Sequence, residues 1–248
     1  MNALIPIGSA LTVAAGAVAY GAAYPRAQLF GVTICRTNSA RKLAITFDDG
    51  PNPTLTPKLL DLLEKYEARA TFFVIGRFVG HCPAIVRETA ARGHLVANHT
   101  QTHPNLFWLG QRAIRDQLQQ AQAAVFAAAG FAPKWFRPPY GFRNPWVAKV
   151  ASELSLQTVM WTLIPGDWTP QLAQRLVGRL QPIANHAQKN LATANAAGDI
   201  LCLHDGGHRE LNADRTHTLK ALEHWLPRWR DAGLEFVTIE EAVTTPAT

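Results

Sequence analysis

The stretch KLAITFDDGPNPTLTPKLLDLLEKYEARATFFVI, residues 42–75, decides the fold. Lys42 to Phe47 reads as a buried strand, Leu55 to Tyr66 as a helix with Pro57 in its first turn, and Ala70 to Ile75 as the next strand. This β-α-β unit pairs its strands in parallel and lays the helix on one face. The alternation continues through Pro83–Arg92 (helix, closed by Gly93), His94–Asn98 (strand), Gln111–Ala129 (helix, closed by Gly130) and Lys134–Phe136 (strand). Pro145–Leu154, Gln157–Trp161, Pro170–Ile183, Asp199–Leu203, Ala213–Ala232 and Glu235–Ile239 extend it, and His186–Gly198 reads as an inserted loop. About seven strands of this kind favour an α/β barrel over an open sheet. No Gly-x-Gly-x-x-Gly or Gly-x-x-x-x-Gly-Lys loop follows a strand, which disfavours nucleotide cofactors.

At 248 residues the chain can bury a substantial core, and 48% hydrophobic with 17% charged residues is ordinary globular composition. The net charge of +6 attracts anionic partners at long range. Basic residues such as Arg36, Arg41, Arg137 and Arg209 are scattered and lack interleaved aromatics, so no nucleic-acid partner is expected. Cys35, Cys82 and Cys202 are too few for a disulfide framework and read best as small buried hydrophobes, with one bridge left open.

Residues 1–25 carry no charged side chain, and residues 3–24 have the length and composition to span a bilayer. Ala17-Val18-Ala19 and Gly21-Ala22-Ala23 resemble cleavage sites, yet no Lys or Arg precedes them. Arg26, Arg36 and Arg41 follow, which by the positive-inside rule argues for a cytoplasmic body. A membrane anchor, a cleaved signal and a helix packed on the domain all stay open. The first two are favoured, hence a membrane-anchored or secreted, extracytoplasmic location. The chain divides into this apolar segment (1–25), a linker (26–40) and a body (41–243).

Chemistry gathers at the carboxyl ends of the strands, where parallel barrels place their sites. Five loops there read Thr46-Phe47-Asp48-Asp49-Gly50-Pro51, Asn98-His99-Thr100-Gln101-Thr102-His103, Phe136-Arg137-Pro138-Pro139-Tyr140-Gly141, Gly166-Asp167-Trp168 and Leu203-His204-Asp205-Gly206. Adjacent carboxylates on a regular strand point to opposite faces, but Gly50-Pro51 lets the chain turn and aim both into the mouth. His99 and His103, four apart, share one side of a helical turn. With a carboxylate from the first loop they make a two-His, one-carboxylate set, typical of hydrolytic zinc and of other divalent metals.

The ordered series Thr-Phe-Asp-Asp-Gly, His-Thr-x-x-His, Arg-Pro-Pro-Tyr, Asp-Trp and Leu-His-Asp-Gly resembles the NodB-homology polysaccharide deacetylases, carbohydrate esterase family four, from Arg41 to Ala242. The resemblance implies a distorted, incomplete (β/α) barrel with a glycan groove, and hydrolysis of N-acetyl groups on N-acetylglucosamine-type units of peptidoglycan or chitin-like chains. It makes Asp49, His99 and His103 the ligands of a divalent metal, Zn2+ first, with Co2+, Ni2+ or Mn2+ as alternatives. It makes Asp48 the general base held by Arg137, and His204 the acid tuned by Asp167. Tyr140 offers a backbone N–H to the oxyanion, Trp168 walls the groove, and Cys202 and Leu203 flank the acetyl pocket.

Two positions depart from the family pattern. Ile164 stands where many relatives have aspartate, and Cys202 where they have leucine, so substrate detail is open. The rival readings are a same-fold hydrolase of another amide or ester, such as a formamide, acetylxylan or cyclic imide, and a glycan-binding pseudoenzyme. Oligomeric state is not legible in the sequence.

Overall fold

The computed structural model describes residues 7–193 and 195–244. Seven strands form one parallel sheet: β1 Lys42–Gly50, β2 Ala70–Val74, β3 Leu95–Asn98, β4 Trp135–Phe136, β5 Gln157–Thr158, β6 Asp199–His204 and β7 Glu235–Phe236. Their order is β5-β4-β3-β2-β1-β6, and β7 pairs with the first two residues of β1. The sheet curls into an incomplete barrel. Between β5 and β6 the described backbone is joined by one isolated parallel bridge, Leu163 to Leu201.

Eleven helices occur among the described residues: α1 Ile7–Ala23, α2 Thr56–Lys65, α3 Gly76–His81, α4 Pro83–Ala91, α5 Gln111–Ala129, α6 Pro145–Glu153, α7 Pro170–Ala173, α8 Leu176–Arg179, α9 Gln181–Asn190, α10 Thr216–Asp231 and α11 Ile239–Val243. The period-2 alternation of β1 sorts its side chains. Leu43, Ile45 and Phe47 join the main core with Leu59 and Leu63 of α2 and Leu222 and Trp229 of α10. Ala44 belongs to a second apolar cluster, with Phe73, Ala97 and Ile200. Each fully buried Phe or Leu there contributes about 1.5–3 kcal/mol. The same even-numbered row of β1 continues upward as Thr46 and Asp48, so the strand that fills the core also carries polar groups to the mouth.

Three expectations change. Pro170–Ile183 is not one helix but α7, α8 and the start of α9, because Pro182 in the first turn of α9 cannot continue α8. His186–Asn190 is helical, not loop. All three cysteines are free, and only Cys202 is fully buried.

Membrane association through residues 3–24 is also corrected. Residues 3–6 lie outside the described part, and no helix among the described residues is long and apolar enough to cross a membrane. The 17 residues of α1 reach only about 25 Å, short of the roughly 30 Å of hydrocarbon in a bilayer. The end of α1 is tied to the body. The backbone N–H of Arg143 donates to Ala22 O at 3.1 Å, and its buried guanidinium donates to Tyr24 O at 2.6 Å and Ala27 O at 3.1 Å. Residues 34 and 36 then bridge to Val159 and Asp199.

Candidate active site

A bulge builds the carboxylate pair. β1 runs through Gly50, but its pairing with β2 shifts between Asp48 and Gly50, and Asp49 takes a left-handed conformation with φ of 71°. Alternation alone would send Asp49 into the core; the bulge swings it beside Asp48. Both are buried. The turn therefore occurs inside the strand, one residue before Gly50.

His99 and His103 meet without a helical turn. Residues 99–105 are irregular, with Thr100 at φ 67° and His103 at φ 62°. Asn98 organises the loop, receiving Thr100 N–H at 2.8 Å and donating to Leu118 O of α5 at 2.9 Å. His103 N–H then donates to Thr100 Oγ1 at 3.0 Å. His99 Nδ1 lies 2.8 Å from Arg137 O, which accepts its N–H and leaves Nε2 as the lone pair.

The three groups converge on one point. His103 Nε2 lies 3.2 Å and His99 Nε2 3.6 Å from Asp49 Oδ1, a buried oxygen with no hydrogen-bond partner. Ligands at zinc distances on a tetrahedron stand about 3.3 Å apart, so the set fits a divalent cation. Its protonation state fits as well. Burial opposes ionisation of Asp49, but His208 and the imidazoles of His103, His204 and His99 outweigh it and hold the carboxyl well below its usual range. Burial pushes His103 down to about 3, with His99 adding, the direction that frees an imidazole to bind a cation.

Two dyads flank this cluster. Arg137, fully buried just after β4, donates from Nη1 to Asp48 Oδ1 and to Thr46 Oγ1, both at 2.7 Å. Its Nη2 donates to Met160 O at 3.1 Å, and its guanidinium lies 4.1 Å over Phe73. On the other side, Asp167 Oδ1 accepts from His204 Nδ1 at 2.8 Å, and Oδ2 from His204 N at 2.8 Å and Thr218 Oγ1 at 3.0 Å. Burial would lower His204, but Asp167, then Asp49 and Asp48, raise it to about 9. Parallel register sets Asp48 opposite His204 and Thr46 opposite Cys202.

Asp48, Asp49, His99, His103 and His204 line a cavity of about 460 Å³ together with Pro138, Tyr140, Gly141, Trp161, Ile164, Trp168, His208, Arg209 and Arg215. Trp168 packs edge-on to His204 with ring centroids 5.0 Å apart, and Tyr140 edge-on to His103 at 4.6 Å. Of the two residues expected beside the acetyl pocket, Cys202 Sγ reaches Asp48 Oδ2 at 3.4 Å. Leu203 points the opposite way, into the main core, and neither residue lines the cavity.

Sequence reasoning missed several contributors. Thr46 and Thr218 brace the two dyads. His208, whose nearness to His204 in the chain already suggested a place on the groove, also donates its backbone N–H to Asp49 Oδ2 at 3.3 Å. Asp205 is buried, accepts a hydrogen bond from Thr56 Oγ1, and is pushed by burial up to about 7. The Leu-His-Asp-Gly motif did contain Asp205. Thr218 and Arg215 had no local signal, since they reach the site from α10 and the loop before it.

The comparisons decide the family. A polysaccharide deacetylase family model matches residues 36–159. The chain is 38% identical over 212 residues to a peptidoglycan-N-acetylglucosamine deacetylase of Bacillus cereus, covering 82% of this chain and 89% of that one. The chain belongs to the polysaccharide deacetylases. This deacetylase chain is also 35% identical over 205 residues to a chitooligosaccharide deacetylase of a Bradyrhizobium species, covering 80% of this chain and 89% of the other. Its fold superposes on a family 4 carbohydrate esterase from Streptomyces lividans, solved with acetate, with a TM-score of 0.68 and 29% identity over 85% of this chain and all of the other. As a family-four member with a buried metal-binding cluster, it is a metal-dependent hydrolase of carbon–nitrogen amide bonds.

Proposed function

We propose that the chain removes N-acetyl groups from N-acetylglucosamine units of a cell-wall glycan, outside the cytoplasm, with the body at residues 41–243 as its catalytic domain. The observation that carries this is the cluster of Asp49, His99 and His103 set between the Asp48–Arg137 and His204–Asp167 pairs. Asp49, His99 and His103 hold the cation, with Zn2+ favoured over Co2+, Ni2+ or Mn2+ because two imidazoles and one carboxylate are a common hydrolytic zinc set. The bound cation supplies Lewis acidity toward the amide carbonyl and activates water.

The protein's own groups do the rest. Asp48, kept in place by Arg137, takes the proton of the attacking water. Tyr140, in a left-handed conformation, offers its backbone N–H to the oxyanion. An amide nitrogen leaves only when protonated, and His204 delivers that proton with Asp167 stabilising the imidazolium. Trp168 and Tyr140 wall the groove, where exposed aromatic faces suit sugar rings. Cys202, behind the cavity lining, donates its thiol to Asp48 Oδ2.

For the substrate, carboxylate-bearing glycan of the peptidoglycan type is favoured over neutral chitin. Arg209 and Arg215 line the cavity and form no ion pair among the described residues. Acetate release is to be compared on peptidoglycan, chitin oligomers and acetylated xylan, before and after chelation. Chelation is expected to abolish release, and peptidoglycan to be the best substrate. Release that survives a strong chelator overturns the mechanism; preference for acetylated xylan overturns the substrate.

A further inference from the structure

Beside the Asp49–His99–His103 cluster lies a second set of buried donors. Asp48, Cys202 and His204 each place a ligand atom within 4.8 Å of the other two. Register explains the convergence. Cys202 and His204 are alternate residues of β6 and share one of its faces, and Asp48 is paired with His204 across the β1–β6 register. Each also has a donor left over. Asp48 Oδ1 is engaged by Arg137 at 2.7 Å, leaving Oδ2, which receives the Cys202 thiol at 3.4 Å. His204 Nδ1 is engaged by Asp167, leaving Nε2.

We propose that Asp48, Cys202 and His204 form a second, inhibitory cation site, selective for thiophilic divalent ions. A sulfur, an imidazole and a carboxylate suit soft or borderline cations and disfavour Mg2+ and Ca2+. Occupation breaks the Cys202 S–H bond and forms a sulfur–cation bond. The thiol proton, and any proton on His204 Nε2, leave to solvent through the groove. No oxidant or reductant is involved. The site adjoins the first one, since Asp48 Oδ2 lies 3.8 Å from His99 Nε2, so repulsion between the cations makes it the weaker of the two. It fills at excess metal and then holds the base and the acid at once. That inhibitory consequence rests on the roles given to Asp48 and His204; the binding does not.

The test uses the full chain loaded with one equivalent of Zn2+ and titrated with Cd2+, in a Cys35→Ser/Cys82→Ser background that leaves one thiol. Bound Cd2+ is counted, the sulfur-to-cadmium charge-transfer band is followed in the ultraviolet, and acetate release is expressed relative to each variant's own cadmium-free rate. With Cys202 present, a second equivalent is expected to bind with a thiolate band while release falls in step. Cys202→Ser and Cys202→Leu are expected to lose the band and to need at least about ten times more Cd2+ for half inhibition. The site is refuted if no band appears with Cys202 present. It is refuted equally if both variants are inhibited at the Cd2+ concentration that inhibits the Cys202 form, which would mean that Cd2+ displaces the first ion. A band without acetate release in any form would count against the proposed function and leave the second site standing.

Discussion

At the scale of single residues, adjacent aspartates carry different work because one backbone dihedral separates them. Asp48 sits on the regular strand with its carboxylate tied to Arg137, and Asp49, left-handed at φ 71°, turns toward the histidines. Asp48→Asn is expected to keep the cation and lower turnover by about 100-fold to 10,000-fold. Asp49→Asn is expected to lose the cation first. Metal content of the purified variants, measured beside acetate release, separates the two, and an exchange of these phenotypes would show the roles reversed. His204 gives a pH test. As the acid it must be protonated, so the rate falls as pH rises through its pKa, which Asp167 raises to about 9 and a bound cation pulls back down. Asp167→Asn removes the raising partner and is expected to move the alkaline limb of kcat at least one unit toward neutral. A limb that stays in place would assign it to another group.

At the scale of elements, the site depends on how closely the loops after β1 and β6 approach. A Cβ on Gly206 would lie 2.2 Å from Asp49 O and 2.7 Å from its carbonyl carbon, backbone atoms that cannot rotate away. Gly206→Ala is therefore expected to cost about 1–3 kcal/mol of stability. By shifting Asp49, it should also weaken divalent-cation binding more than tenfold. Calorimetric titration of the metal-free protein measures this; unchanged affinity would mean that the loops move independently. The helix-sized units were legible from Pro at helix starts and Gly at helix ends, as at Gly130, which closes α5 at φ 82°. The break of Pro170–Ile183 was less so, because apolar spacing continues through Leu176, Leu180 and Ile183 while Pro182 interrupts the backbone.

At the scale of the whole molecule, the core keeps one histidine neutral. His94 is buried against Phe72, and its Nδ1 accepts the Ala70 N–H at 3.2 Å. Burial lowers its pKa to about 4, with Arg92 and Arg69 adding. Between the unfolded value of about 6.5 and about 4 the unfolded chain binds the extra proton, so stability falls as pH drops through that window and levels below it. The loss reaches about 3 kcal/mol. His94→Asn, which keeps an acceptor, is expected to flatten this part of a denaturation-against-pH curve; an equal slope in both proteins would exclude His94 as its source. The sequence by itself determined the β-α-β alternation and the five rim loops, because periodicity and motif spacing are local properties of the chain; the roles expected of the rim residues came from the resemblance to the family. Only the tertiary structure decided that a bulge aligns the two aspartates and that His99 and His103 converge through a left-handed loop. It also decided that Leu203 enters the core while Cys202 meets Asp48, and that α1 ends on the body through Arg143. Those outcomes depend on contacts between residues far apart in the chain, and no local pattern encodes them.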